Sequence, residues 1–224
     1  MMKQITPIHE KLLFSSFLAA AAGGFDAYTY LVHGEVFAGL QTGNLILLGT
    51  HIGQLSFSTA LHYLVPLLSF MLGTILAHYL QNRLPESDTL VRRKQLIITF
   101  EIILLLLVAF ISPVIPDMLA SALVSIAAAA QLQEFRRLNN GPFASLMMTG
   151  NIRTLAESLF EGIVRHDTVA RTKAVEIGTI ISSFTVGAAV TGAVVPYLAE
   201  KTIVLSAIIL LMPLFLLTYS TKNK

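Results

Sequence analysis

The chain contains neither cysteine nor tryptophan. Without thiols there is no disulfide framework, no thiolate metal site and no cysteine nucleophile. Charge is scarce as well. Asp, Glu, Lys and Arg make up 12% of the 224 residues, about half the ~25% usual in soluble proteins. None of the four occurs from Val36 to Asn82, from Ile177 to Ala199 or from Thr202 to Thr221. A bilayer-spanning helix needs only about 20 such residues. These runs exclude a soluble enzyme, a nucleic-acid-binding module and a disordered protein. The net charge of +2 is too small to imply a nucleic-acid partner. Catalytic signatures are missing too. There is no His-Glu-x-x-His motif, no Gly-x-Ser-x-Gly elbow and no P-loop, and the six His residues form no i, i+4 pair. No enzyme activity, cofactor or metal is expected. What is present, 54% apolar residues in long blocks, reads as an all-α polytopic membrane protein in a single membrane domain, with the lipid bilayer as its partner.

Eight apolar stretches can be marked: Leu12–Leu31, Thr42–Phe57, Ala60–Gln81, Leu96–Ile111, Met118–Leu132, Met147–Val164, Ala174–Tyr197 and Thr202–Tyr219. The first, with Lys3 and Lys11 ahead of it and Ala19–Ala22 within it, imitates a signal peptide. It is read as a span because it recurs in an internal repeat. Thr42–Phe57 offers about 24 Å of helix at ~1.5 Å per residue, less than a ~30 Å hydrocarbon core. Met147–Val164 carries Arg153, Glu157 and Glu161 at helical spacing. Either eight segments span, or six span and these two enter and leave on one side.

The scarce cations choose between the two arrangements. With eight spans, Lys and Arg divide seven against seven across the membrane. With two re-entrant segments, Arg83, Arg92, Arg93, Lys94, Arg136 and Arg137 join Lys3, Lys11, Arg165, Arg171, Lys173, Lys222 and Lys224 on the cytoplasmic side. That leaves thirteen against Lys201 alone. Six spans, two re-entrant helices and cytoplasmic termini are expected. Tyr28, Tyr30, Tyr63, Tyr79, Tyr197 and Tyr219 fall in end turns, where Tyr anchors at the interface.

Thr42-Gly43-Asn44 recurs as Thr149-Gly150-Asn151 at an offset of 107. At that offset Ala22 meets Ala129, Phe25 meets Leu132 and Asp26 meets Gln133. Phe37-Ala38 recurs as Phe143-Ala144 with a one-residue slip, and Phe70-x-x-Gly73 as Phe184-x-x-Gly187 after a seven-residue insertion. Each repeat (about 11–112 and 117–221) is a span, a short segment and two spans. Three spans is an odd number, so the second repeat is inverted relative to the first, an architecture common among transporters.

Gly24-Phe25-Asp26-Ala27, Val36-Phe37-Ala38, Gln41-Thr42-Gly43-Asn44 and Met148-Thr149-Gly150-Asn151 resemble the YoaK-type membrane proteins, the domain-of-unknown-function 1275 family, over nearly the whole chain. The resemblance implies a small bacterial integral membrane protein of the inner membrane, without an assigned activity. Near position 134, where such proteins often carry Asn, this chain has Glu134.

The candidate substrate-binding residues follow from the repeat: Asp26, Thr42, Gly43, Asn44, Gln133, Thr149, Gly150, Asn151 and Arg153. Thr and Asn are good N-caps, so Thr42 or Asn44 and Thr149 or Asn151 are expected to cap short helices. The partly positive N-termini of those helices attract anions and would meet near the midplane. The competing reading is that these residues only cap and pack. Asp26 follows Gly23-Gly24, where the helix is expected to loosen. A carboxylate in a span costs roughly 2.5–3.5 kcal/mol, so it binds a proton or cation, pairs with Arg153, or ties spans together as a neutral acid. Glu101 and Glu176 are placed within reach of the cytoplasmic interface. His62, Pro66 and Pro213 are read as structural, with a kink at Pro213. Gly49-x-x-x-Gly53 is read as a packing face. The leading function is a transporter or channel-like protein for a small polar or anionic solute, with its site between the repeats. The alternative is a non-transporting assembly or regulatory membrane protein.

Overall fold

The computed structural model describes residues 6–84 and 86–222; Lys3 and Lys224, both used in the cation count, lie outside them. Every one of the eight apolar stretches is helical. The helices are α1 (Leu12–Val32), α2 (Gln41–Gly53), α3 (Phe57–Arg83), α4 (Glu86–Ile111), α5 (Asp117–Glu134), α6 (Met148–Val164), α7 (Thr168–Leu198) and α8 (Val204–Lys222). The exception to an all-helical chain is a two-residue antiparallel pairing of Arg137–Leu138 (β1) with Gly141–Pro142 (β2), between α5 and α6. Phe57–Arg83, Leu90–Val114 and the stretch Thr168–Ser220 are long and apolar enough to cross a membrane. Exposed Leu68, Met71, Ile75, Phe110, Ile208 and Phe215 cover their outer faces, as lipid-facing helices require. The protein is a multi-pass membrane protein.

α1 packs along α7, and α3 along α5. α2 lies on α3, and α6 on α7. α8 rests on α1 and α4, while α4 rests on α5 and α8. Exchanging α1 with α5, α2 with α6, α3 with α7 and α4 with α8 returns the same pairings. Glycine lets two of these pairs approach closely. Gly187 of α7 sits against the Ala20 backbone of α1, and Gly73 of α3 against the Ile126 backbone of α5. Both belong to the repeated Phe-x-x-Gly. Small residues at such crossings let two backbones approach without hydrophobic help from water.

Gly23-Gly24 does not loosen its helix, which runs unbroken from Leu12 to Val32. The two glycines make room instead: a Cβ on Gly23 would fall on the Phe184 carbonyl, and one on Gly24 on the Ser206 hydroxyl. Gly49 and Gly53 differ from expectation in the other direction. No neighbour lies within 4 Å of a Cβ built on either, so among the described residues nothing packs against these two glycines. The helices also continue through Pro66 and Pro213. His62 is structural as expected, its Nε2 reaching the His33 and Gly34 carbonyls at 3.1 Å.

Contacts sort the chain ends of the helices into two groups. Pro7, His9 and Glu10 ahead of α1 share one cavity with Gln81 and Asn82 of α3, Arg93 and Lys94 of α4, and Gln133–Arg137 at the end of α5. At the other end, His33 beyond α1 bonds Asp117 at the start of α5 at 2.8 Å, and Tyr28 bonds the Glu200 carbonyl at 2.9 Å. His51 near the C-terminus of α2 stacks on Tyr63 of α3 at that same end, with ring centroids 5.3 Å apart. Tyr28 is therefore not a lipid-facing anchor. It is fully buried, whereas Tyr79, Tyr197 and Tyr219 are exposed.

Candidate functional site

The segment between α1 and α2 lies outside any helix, so its amides need partners from elsewhere in the fold. The His33 and Glu35 N–H groups donate back to the Thr29 and Tyr30 carbonyls of α1, and side chains serve the amides from Phe37 to Leu40. The Phe37 N–H donates to Asn44 Oδ1 at 2.9 Å, and Asn44 Nδ2 donates back to the Phe37 carbonyl at 2.7 Å. The Ala38 N–H donates to Thr29 Oγ1 at 3.1 Å. Asp26 Oδ1 accepts from the Gly39 N–H at 2.6 Å and from the Leu40 N–H at 3.3 Å. Gln41 Nε2 donates to the Ala38 carbonyl at 2.7 Å. Asp26, Thr29 and Asn44 are all buried.

This corrects the capping expectation. The N-cap positions are Leu40 and Met147, and neither has a side-chain cap. Asn44 and Asn151 lie inside the first turn and reach backwards seven residues instead. Asn151 Nδ2 donates to the Ala144 carbonyl at 3.1 Å, the counterpart of the Asn44–Phe37 bond. Thr42 and Thr149 are exposed, Gly43 faces the Phe37 ring, and Gly150 faces open space. The preceding segments do meet: a Cβ on Gly39 would overlap the Leu146 side chain and lie 3.4 Å from Asp26 Oδ1. Gly39 and Leu146 stand 107 residues apart, the repeat offset.

Arg153 does not pair with Asp26. Its side chain is 79% exposed and lies 3.6 Å from Glu157, one turn along α6. Gln133 does not act as the partner of Asp26 in the second repeat either, because α5 ends one residue later while α1 continues to Val32. Gln133 instead donates to Gln81 Oε1 at 3.0 Å. The side chain that braces the second segment is buried Gln131, which donates to Ser145 Oγ at 2.9 Å and to the Leu18 carbonyl at 3.2 Å.

A second polar centre lies at the end of α5. Glu134 is buried. Arg93 Nε donates to both of its carboxylate oxygens at 3.0 Å, Arg93 Nη2 lies 3.0 Å from Oε1, Lys94 Nζ lies 3.1 Å from Oε1, and Gln81 Nε2 donates to Oε2 at 3.0 Å. Two cations on one carboxylate compensate its desolvation and leave local positive charge. These groups floor a cavity of about 900 Å³ whose described lining includes four Lys or Arg side chains (Arg93, Lys94, Arg136, Arg137) against Glu10 and Glu134. Its size suits a small solute, and its charge favours an anion. Sequence reasoning used these cations only to orient the chain. The signal available was Arg92-Arg93-Lys94 running straight into an apolar helix.

Glu101 is not at an interface. It is fully buried within α4, and neither carboxylate oxygen has a hydrogen-bond partner. Glu176 is at the surface as expected, accepting from Asn139 Nδ2 at 2.6 Å.

The family described as "Protein of unknown function (DUF1275)" matches residues 14–216. Over 146 residues the chain is 27% identical to the "UPF0700 transmembrane protein YoaK" of Bacillus subtilis (strain 168), covering 64% of this chain and 65% of that one. The match thus spans a little under two thirds of the relative. No solved structure matches.

Proposed function

Since this chain belongs to the DUF1275 family of membrane proteins, we propose a function that the description leaves open: transport or channel-like passage of a small polar or anionic solute. The observation that carries this reading is the cavity floored by Arg93, Lys94 and Glu134. A volume of that kind, cationic at its base and lined by the ends of α3, α4 and α5, is what a cytoplasmic vestibule requires.

The topology behind it is six spans with α2 and α6 re-entrant. Supporting this, the residues ahead of α1 share a cavity with the C-terminal turn of α3. Three full crossings by α1, α2 and α3 would put those groups on opposite faces. The self-mapping helix pairings and the Gly39–Leu146 contact favour inverted repeats, because an approximate two-fold axis brings equivalent residues together where it passes through the chain. By the positive-inside rule the vestibule faces the cytoplasm of a bacterial inner membrane, with both termini on that side.

The bonds of Asp26, Asn44 and Asn151 to backbone groups favour a structural role for the Thr-Gly-Asn segments. That supports the non-transporting alternative for them, though not for the cavity. A cysteine-free chain allows the decisive experiment. Gln133→Cys in proteoliposomes, offered a panel of small inorganic and organic anions, should take up at least one of them. An anionic thiol reagent should react faster than a cationic one and stop the uptake. No uptake of any member, with equal reactivity to both reagents, would sink the proposal.

A further inference from the structure

Glu101 lies in the sixteenth position of the twenty-six-residue α4, buried completely, with neither carboxylate oxygen hydrogen-bonded. Its neighbours on the helix, Ile97, Ile98, Ile102 and Leu105, form one core with Val124, Ala127 and Ala128 of α5 and Ala207, Leu210 and Leu217 of α8. Among the described residues, the helices packed on α4 bring ionisable groups only near their ends. These are Asp117 and Glu134 in α5, Tyr219 and Lys222 in α8, and His62, Tyr63, His78, Tyr79 and Arg83 in α3, with Glu200 and Lys201 in the turn before α8. An intramembrane carboxyl with no cation and no donor is costly to keep and marks a working group by default. A hard metal cation would need several converging oxygens, and among the described residues no three His, Asp or Glu side chains gather. A proton needs one oxygen.

Arg93 and Lys94 stand about two turns earlier on α4, eight and seven residues away, a rise of roughly 11–12 Å at 1.5 Å per residue. Residues at that spacing share a helix face. The cavity that these cations floor is thus the nearest aqueous source identified for Glu101.

We propose that Glu101 is an intramembrane proton-binding site, one of its carboxylate oxygens forming an O–H bond with a proton delivered by water from the cavity. In this packed arrangement of α4, α5 and α8 it holds that proton. Use of the proton to couple solute movement rests on the transport reading above; the binding itself does not.

Infrared difference spectroscopy of the full chain in lipid, wild type minus Glu101→Gln at neutral pH, reads the site directly. The carbonyl stretch of a protonated carboxylic acid, sensitive to exchange into heavy water, should be present in the wild type and missing from the variant. Loss of ionised-carboxylate bands instead would overturn the proposal. Should the variant fail to fold, the unmutated protein serves. A hydrophobic carbodiimide adds to a protonated carboxyl in an apolar site, its nitrogen taking the acid proton as its central carbon bonds the oxygen. Mass spectrometry should place the adduct on Glu101, and its absence there would overturn the assignment. Neither measurement involves solute uptake. A protonated Glu101 in a protein that moves no solute leaves this site standing and removes the transport reading alone.

Discussion

Arg93 Nε donates to both carboxylate oxygens of Glu134, each at 3.0 Å, across forty-one residues of sequence. The pair joins the start of α4 to the end of α5 and forms the floor of the cavity. Both partners are buried, and Lys94 shares the carboxylate. Removing one member of such a group leaves charge buried without its principal counter-ion.

Glu134→Ala should therefore destabilise the protein by about 3 kcal/mol, measured by unfolding in detergent. Arg137→Ala, whose side chain is 70% exposed and 4.0 Å from Glu10, should change stability by less than about 0.5 kcal/mol. Equal losses in the two variants would contradict the assignment of Glu134 as the buried anchor.

Asn44→Ala should cost more than Asn151→Ala. The first removes the partners of both the N–H and the carbonyl of Phe37. The second frees only the Ala144 carbonyl. At roughly 1–3 kcal/mol per unsatisfied buried group, losses of about 2–6 and 1–3 kcal/mol are expected. Comparing the unfolding midpoints of the two variants checks the order.

Glycine substitutions should split by sign. Gly187→Ala places a methyl on the Ala20 backbone and should cost about 1–3 kcal/mol through overpacking. Gly49→Ala and Gly150→Ala meet nothing within 4 Å and should be neutral or stabilising by up to about 1 kcal/mol, since Ala is the better helix residue. Thermal stability of the three purified variants is the measurement. A destabilised Gly49→Ala would mean that a partner covers the open face of α2.

Single cysteines at Glu35 and Gln54 should react with an impermeant thiol reagent from one side of the membrane, and those at Arg137 and Arg165 from the other. The first pair brackets α2 and the second brackets α6. Labelling of Glu35 and Gln54 from opposite sides would make α2 a full span and remove the re-entrant topology.

Much of the architecture was legible before any tertiary contact was known. Each of the eight apolar stretches falls largely on one helix, because a membrane helix shows as an apolar run. However, α4 and α7 start ten and six residues before their stretches, in turns that carry charge. The Thr-Gly-Asn repeat singled out two asparagines, each of which bonds a carbonyl seven residues earlier. What they bind was not legible: a capping side chain normally reaches forward, whereas Asn44 reaches back to Phe37. Equating Gln133 with Asp26 failed because α5 is shorter at its end than α1. The offset alone did not reveal that difference.

Composition and the spacing of charge determined, by themselves, that this is a multi-pass helical membrane protein. Solvation physics acts locally on each stretch of chain, so those features needed no tertiary information. Only the folded arrangement decided which charges are buried together. It seated Glu134 on Arg93 and Lys94, committed Asp26 to the Gly39 and Leu40 amides, and left Glu101 enclosed without a partner. The energy of a charged group depends on what packs around it from distant segments, and that is fixed when α4, α5 and α8 come together.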